Sequence, residues 1–125
     1  MILVDSSVWI DHLRHGDRAL AALLDARSVM SHPFVIGELA CGRLPNRGKV
    51  LADLAGLPVA PLATNDETLG FLERHRLPGR GIGWVDAHLL ASAQLIGGEA
   101  LFTRDKRLRT VAIELGLATT TSYLR

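Results

Sequence analysis

The 125-residue chain has the length of one compact domain, with none to spare for a second core. Its apolar fraction of 48% excludes a disordered tail, and its single cysteine, Cys41, excludes an intrachain disulfide. The net charge of +1 conceals an asymmetry: if four carboxylates are gathered in one site, the other nine acids face fourteen Lys and Arg, an excess of five positive charges suited to a polyanion.

A short apolar run, Ile2 to Val4, predicts a first strand that ends on Asp5. Ser6 resembles an N-cap, and Val8, Trp9, Ile10 and Leu13 give the helix after it a buried stripe as far as Gly16. Asp17 caps a second helix with Leu20, Leu23 and Leu24 on one face, and Ser28 to Ser31 reads as a brief strand. Pro33 stands at the first position of a helix that runs to Cys41 before Gly42. A further helix covers Asn46 to Leu54 and closes at Gly56, and Leu57 to Pro61 reads as a short edge strand, where proline is tolerated. Asn65 or Asp66 caps a helix carrying Leu69 and Leu72, and the glycine-rich stretch Leu77 to Gly83 is a loop. Trp84 to Ile96 is a helix with Val85, Leu89, Ala93 and Ile96 along one face, broken by Gly97 and Gly98. Ala100 to Thr103 is a strand, Arg107 to Leu115 a last helix, and Ala118 to Thr121 a final short strand. Strands alternating with helices give one α/β domain over residues 1–125, layered on a mostly parallel sheet.

Four acids occupy unusual places in this order. Asp5 and Asp105 follow the two best-marked strands, at the carboxyl ends where open parallel sheets bind ligands if those strands flank a switch in order. Glu38 lies within the apolar helix Phe34 to Cys41, and Asp86 lies in the first turn of Trp84-Val85-Asp86-Ala87-His88. Each also has an ordinary reading: a turn for Asp5, a helix-dipole acid for Asp86, a cap for Asp105, a solvated position for Glu38. If they converge, they cannot all ionise without cations between them. An all-oxygen donor set selects Mg²⁺ or Mn²⁺ over zinc. A divalent ion so held activates water and offsets charge on a phosphodiester, which points to nucleic-acid hydrolysis.

These residues resemble the PIN-domain family, and within it the toxins of bacterial VapBC type II toxin–antitoxin systems. Ile2-Leu3-Val4-Asp5-Ser6 is similar to the family's first strand and metal-binding aspartate with a small hydroxyl residue after it. The Glu38 helix resembles its second acidic motif, Asp86-Ala87-His88-Leu89-Leu90-Ala91 its third, and Leu101-Phe102-Thr103-Arg104-Asp105 its fourth. The resemblance runs to about Leu115 and implies a three-layer α/β/α fold with a short, mostly parallel sheet. It implies that Asp5, Glu38, Asp86 and Asp105 form the metal site, that Thr103 supports it with Ser6, and that Mg²⁺, with Mn²⁺ as substitute, drives cleavage of RNA by water. It also implies a homodimer and a small antitoxin presenting a basic side chain to the acidic pocket. A PIN-type nuclease of RNA processing without an antitoxin shares all this chemistry. A non-catalytic α/β binding module and an aspartyl phosphatase are the other readings, the last weakened by Ser7 where such enzymes have a second Asp.

The remaining features carry less. The histidines His12, His15, His32, His75 and His88 match no zinc spacing, and Cys41 reads as a packing residue. Trp9 and Trp84 read as core or interface aromatics, with Trp84 bordering the acids. Lysine occurs only at Lys49 and Lys106, so the basic residues are nearly all Arg, a bias that a GC-rich genome also produces. Arg80, in the glycine-rich loop before Asp86, is the basic residue placed to contact RNA phosphate. The helices Asn46 to Leu54 and Asn65 to Leu77 offer apolar faces for a partner helix. With no apolar run of bilayer length and no basic, apolar leader at Met1, the expected setting is the cytoplasm, away from membranes.

Overall fold

Three parallel strands of two or three residues centre the computed structural model, which describes residues 1–119: β1 (Ile2–Val4), β2 (Val29–Met30) and β3 (Leu101–Phe102), in the order β2-β1-β3. The register pairs Leu3 with both Met30 and Leu101, and Val4 with Phe102. Parallel bridges extend each edge, Ser31 to Val59 on one side and Leu101 to Ala118 on the other. The expected strand Leu57 to Pro61 is thus reduced to one bridge, and of Ala118 to Thr121 the last two residues lie outside the described ones.

Seven helices surround this sheet among the described residues: α1 (Ser6–His15), α2 (Arg18–Asp25), α3 (Pro33–Cys41), α4 (Arg47–Ala55), α5 (Asn65–Arg74), α6 (Trp84–Ile96) and α7 (Lys106–Glu114). From β1 the chain first steps outward to β2 and Val59, then returns across β1 to β3 and Ala118. Right-handed crossovers in opposite directions put α1 to α4 on one face and α5 to α7 on the other. The result is the α/β/α sandwich, with β1 at its switch point. Packing follows this division, α1 against α2 and α3, α3 against α4, and α5 against α6.

Local chemistry accounts for most boundaries. Asp17 caps α2 by accepting from the Leu20 N–H at 2.9 Å, and Pro33 opens α3. Two cap readings are corrected. Asp5, not Ser6, is the N-cap of α1, its carbonyl accepting from Val8 and Trp9. Thr64, not Asn65 or Asp66, caps α5, in a reciprocal box with Glu67 whose two bonds are each 3.0 Å. On α5, Thr68 and Phe71 are buried while Leu69 is 52% exposed. Cys41, expected as a packing residue, is also corrected: it ends α3 exposed.

Leu3, Val4, Leu101 and Phe102 of the sheet are buried with Leu20, Leu23, Leu89, Leu90 and Leu108. Helix α6 is buried on every side from Ala87 to Ala93, including His88 and Ser92, so the single face expected of Val85, Leu89, Ala93 and Ile96 understates its burial. Covered by α5 and touching β3, it resembles a core element more than an amphipathic one. No described helix is long and apolar enough to cross a membrane.

His32 is buried as the N-cap of α3, its Nδ1 accepting from the Phe34 N–H at 3.0 Å. Burial, helped by neighbouring His88, depresses its pKa to about 4. The unfolded chain therefore takes up a proton below about 6.5 that the folded chain refuses until about 4. Stability present above pH 6.5 should decline as pH falls through this window. His32→Asn keeps a capping oxygen without the titration, so thermal melts of this variant should show a flatter decline between pH 7 and 4; parallel curves would remove His32 as its source.

Candidate functional site

Asp5 leaves β1 at its carboxyl end, pinned by its N–H to the Phe102 carbonyl at 2.9 Å. Its side chain is 4% exposed, and two hydroxyls meet one of its oxygens: Thr103 and Ser7 each donate to Oδ2 at 2.7 Å. Each hydroxyl also accepts a main-chain N–H at 3.1 Å, Thr103 from Asp105 and Ser7 from Arg104. The end of β3 is thereby knitted to the start of α1. Oδ1 receives only a long contact, 3.5 Å from Ser6.

The other three acids repeat this arrangement. Glu38, on the exposed side of α3, accepts from the Ser6 hydroxyl at 3.0 Å through Oε1. Asp86 accepts from the Gly83 N–H at 3.1 Å through Oδ2, at the start of α6. Asp105 caps α7, accepting from the Leu108 N–H at 3.0 Å through Oδ1. In every case one oxygen is oriented by a nearby donor and the second has no short hydrogen bond among the described residues.

The charges on these groups interact. Burial raises the pKa of Glu38 above the ordinary carboxylate range, and the charges of Asp5 and Asp86 push it the same way against the Ser6 hydrogen bond. Burial likewise raises Asp86, with Asp5 and Asp105 adding to the shift and the Gly83 N–H opposing it. Four carboxylates from residues 5 to 105 thus share one electrostatic environment. Among the described residues no group of three or more His, Cys, Asp or Glu side chains is drawn tightly enough together to hold an ion as it stands. The donor chemistry nonetheless fits a hard divalent cation: the free positions are all carboxylate oxygens, and Mg²⁺ keeps several waters while binding one or two carboxylates.

Two further residues were expected near the acids. Arg80 directs its guanidinium onto both oxygens of Glu114, at 2.8 and 3.0 Å, so a phosphate there would have to displace Glu114. Trp84 is 41% exposed, edge-on to buried His88, and so lies at the surface beside Asp86. Ser7 and Arg104 escaped the sequence reading. Ser7 was half visible, as the second hydroxyl after the strand-end acid. Arg104, whose guanidinium pairs with Asp17 and Asp11 and lies 5.1 Å from the Phe102 ring centroid, gives no sign of its partners in sequence.

The loop that places Asp86 is itself held by α7, through Glu114 on Arg80 and the Arg107 side chain over Gly81. Gly81 has φ +82°, and a Cβ there would lie 2.9 Å from Arg107 Cδ. Gly81→Ala should cost about 1–2 kcal/mol from the left-handed backbone. Urea titration should show the midpoint lowered at constant slope; an unmoved midpoint would show the loop tolerates a side chain.

Acids at the carboxyl ends of parallel strands are common to many α/β proteins, but the PIN domain profile matches residues 2–114, and the chain belongs to the PIN-domain family. Among individual proteins, it is 52% identical over 118 residues to Ribonuclease VapC32 of Mycobacterium tuberculosis strain H37Rv, covering 94% of this chain and 95% of that protein. Ribonuclease VapC32 of strain CDC 1551 matches equally. In fold, the chain resembles the crystal structure of PAE2754 from Pyrobaculum aerophilum, with a TM-score of 0.59 and 21% identity over 88% of this chain and 84% of that one.

Proposed function

We propose that this chain is a metal-dependent RNA endonuclease and the toxin of a type II toxin–antitoxin pair, acting through Asp5, Glu38, Asp86 and Asp105. The observation carrying this reading is the recurrence, on all four acids, of one anchored and one free oxygen within a single electrostatic environment. Near-complete coverage of a ribonuclease at 52% identity supports it.

Bound Mg²⁺ or Mn²⁺ supplies water activation and charge neutralisation at the phosphodiester. The chain's part is to orient. Thr103 and Ser7 fix the Asp5 carboxylate through Oδ2 and leave Oδ1 without a short hydrogen bond, while Ser6 orients Glu38. Such outer hydrogen bonds are worth about 10–100-fold in metal affinity or activity.

The antitoxin partner is supported by a largely apolar cleft of about 290 Å³ between α1, α2 and α4, lined by Trp9, Leu13, Leu24, Val50, Leu54 and Leu57 together with the polar His12 and Asp53. This groove includes the expected α4 face but not α5, which packs on α6. The homodimer is supported by the half-exposed Leu62, Leu69 and Leu95. A cytoplasmic setting agrees with an exposed, unpaired Cys41.

The test is incubation of antitoxin-free protein with a mixed RNA pool, in Mn²⁺ or in EDTA, beside the Asp5→Asn variant. Cleavage should require both the ion and Asp5, and sequencing the cut ends reads the preferred site. Equal cleavage by wild type and variant would reject the assigned centre.

A further inference from the structure

The first turns of α7 place cations where a helix least favours them. Lys106, Arg107 and Arg109 follow the capping Asp105, no acid stands in the first turn, and the positive end of the helix dipole opposes them. Arg107 lies against Gly81. Lys106 and Arg109 are exposed, take part in no ion pair among the described residues, and at i, i+3 share a face of the helix.

That face borders an open cleft of about 570 Å³ lined by Arg104, Lys106, Arg109, Thr110 and Ile113. Arg104 connects it to the acids: its N–H bonds Ser7, and the Ser7 hydroxyl bonds Asp5. The Arg104 guanidinium is already neutralised by Asp17 and Asp11, which leaves Lys106 and Arg109 as the free charges of the cleft among the described residues.

We propose that this cleft carries the RNA backbone next to the scissile bond, with Lys106 and Arg109 each contacting a phosphate. The assignment rests on the ribonuclease reading above. An acidic site repels a polyanion, so substrate needs cationic contacts beside it. The two side chains start about 4.5 Å apart along the helix axis, and both are long enough to reach successive phosphates. A cationic groove tracking the backbone is the usual means of holding a single strand. Among the described residues Ile113 is the only large apolar one in the lining, too little to anchor a protein segment.

The probe is a labelled single-stranded RNA of about a dozen nucleotides. Its binding is measured by fluorescence anisotropy in EDTA over a salt series, for wild type, Lys106→Gln/Arg109→Gln, and an Arg27→Gln control. Arg27 immediately precedes Ser28 and β2, at the amino ends of the strands, opposite the acids. The double variant should bind about tenfold or more weakly at low salt, and its log–log salt slope should shrink by about 1.4, at about 0.7 per phosphate on single strands. The control should match wild type. In Mn²⁺ the double variant should show raised KM with kcat largely kept. If wild type binds and cleaves RNA but the double variant binds with the same affinity and slope, the track is wrong and the ribonuclease reading survives. If wild type neither binds nor cleaves RNA, both fall. If the double variant keeps RNA affinity but loses affinity for a polyglutamate peptide, the cleft serves an acidic protein segment and the RNA assignment is overturned.

Discussion

Asp86→Asn should lower RNA cleavage on the order of 10³-fold, about 4 kcal/mol in the barrier, while raising the melting temperature of protein kept in EDTA. The two effects have one cause. The Asp86 carboxylate is half-buried beside Asp5 and Asp105, and both burial and those charges raise its pKa. Its proton is therefore held more tightly in the folded chain than in the unfolded one. By linkage, stability is greater below the raised pKa and declines as pH increases through it. Near neutrality the ionised group opposes folding, and asparagine removes that charge while keeping an oxygen for the Gly83 N–H. The same substitution removes a negative donor from the proposed cation site, so Mn²⁺ should stabilise wild type and not the variant. Melts at pH 7 and pH 4, with and without Mn²⁺, check this. The advantage of the variant should be present at pH 7 in EDTA and vanish at pH 4. Cleavage within tenfold of wild type would take Asp86 out of the reacting centre.

Phe102→Ala should be the most destabilising single truncation near the site, at about 3–5 kcal/mol. Phe102 is 1% exposed in a two-residue strand, pairs with Val4, accepts the Asp5 N–H, and lies against the Arg104 guanidinium. The cavity cannot be closed by sliding β3, because Thr103 immediately after it is committed to Asp5. Cleavage should fall with stability, since the hydroxyl that orients Asp5 is borne on the loosened segment. Urea unfolding of the variant beside Ile113→Ala, which truncates an exposed residue, separates core loss from a general effect. A loss below 1 kcal/mol would mean that the site does not depend on this packing.

Much of the molecule was legible because its determinants are local. Asp5 after an apolar run, Pro33 at a helix start, Gly16 after a helix and Asp17 before one each act within a turn of chain. The neighbouring positions of β1 and β3 were legible as a condition on the strand-end acids, and the sheet order meets it. Thr64 shows a signal present but misweighted: Thr-x-x-Glu was there, yet the more conspicuous Asn65 and Asp66 drew the assignment. Arg80 was illegible for another reason. Its partner, Glu114, lies 34 residues away on α7, and nothing local distinguishes an arginine awaiting phosphate from one already paired. Cys41 looked buried because its helix is apolar overall, but at the end of α3 it is exposed while Leu39, two residues before it, faces the core.

The bond from Thr103 to Asp5 spans 98 residues. A ribosome adding about 5–20 residues per second makes the aspartate about 5–20 s before the threonine that orients it. A chain not yet extended past residue 102 therefore lacks the hydroxyl that sets Asp5, along with Asp105 and all of α7. Synthesis itself thus orders assembly: the proposed centre is complete only once the chain has been extended through β3 and the start of α7.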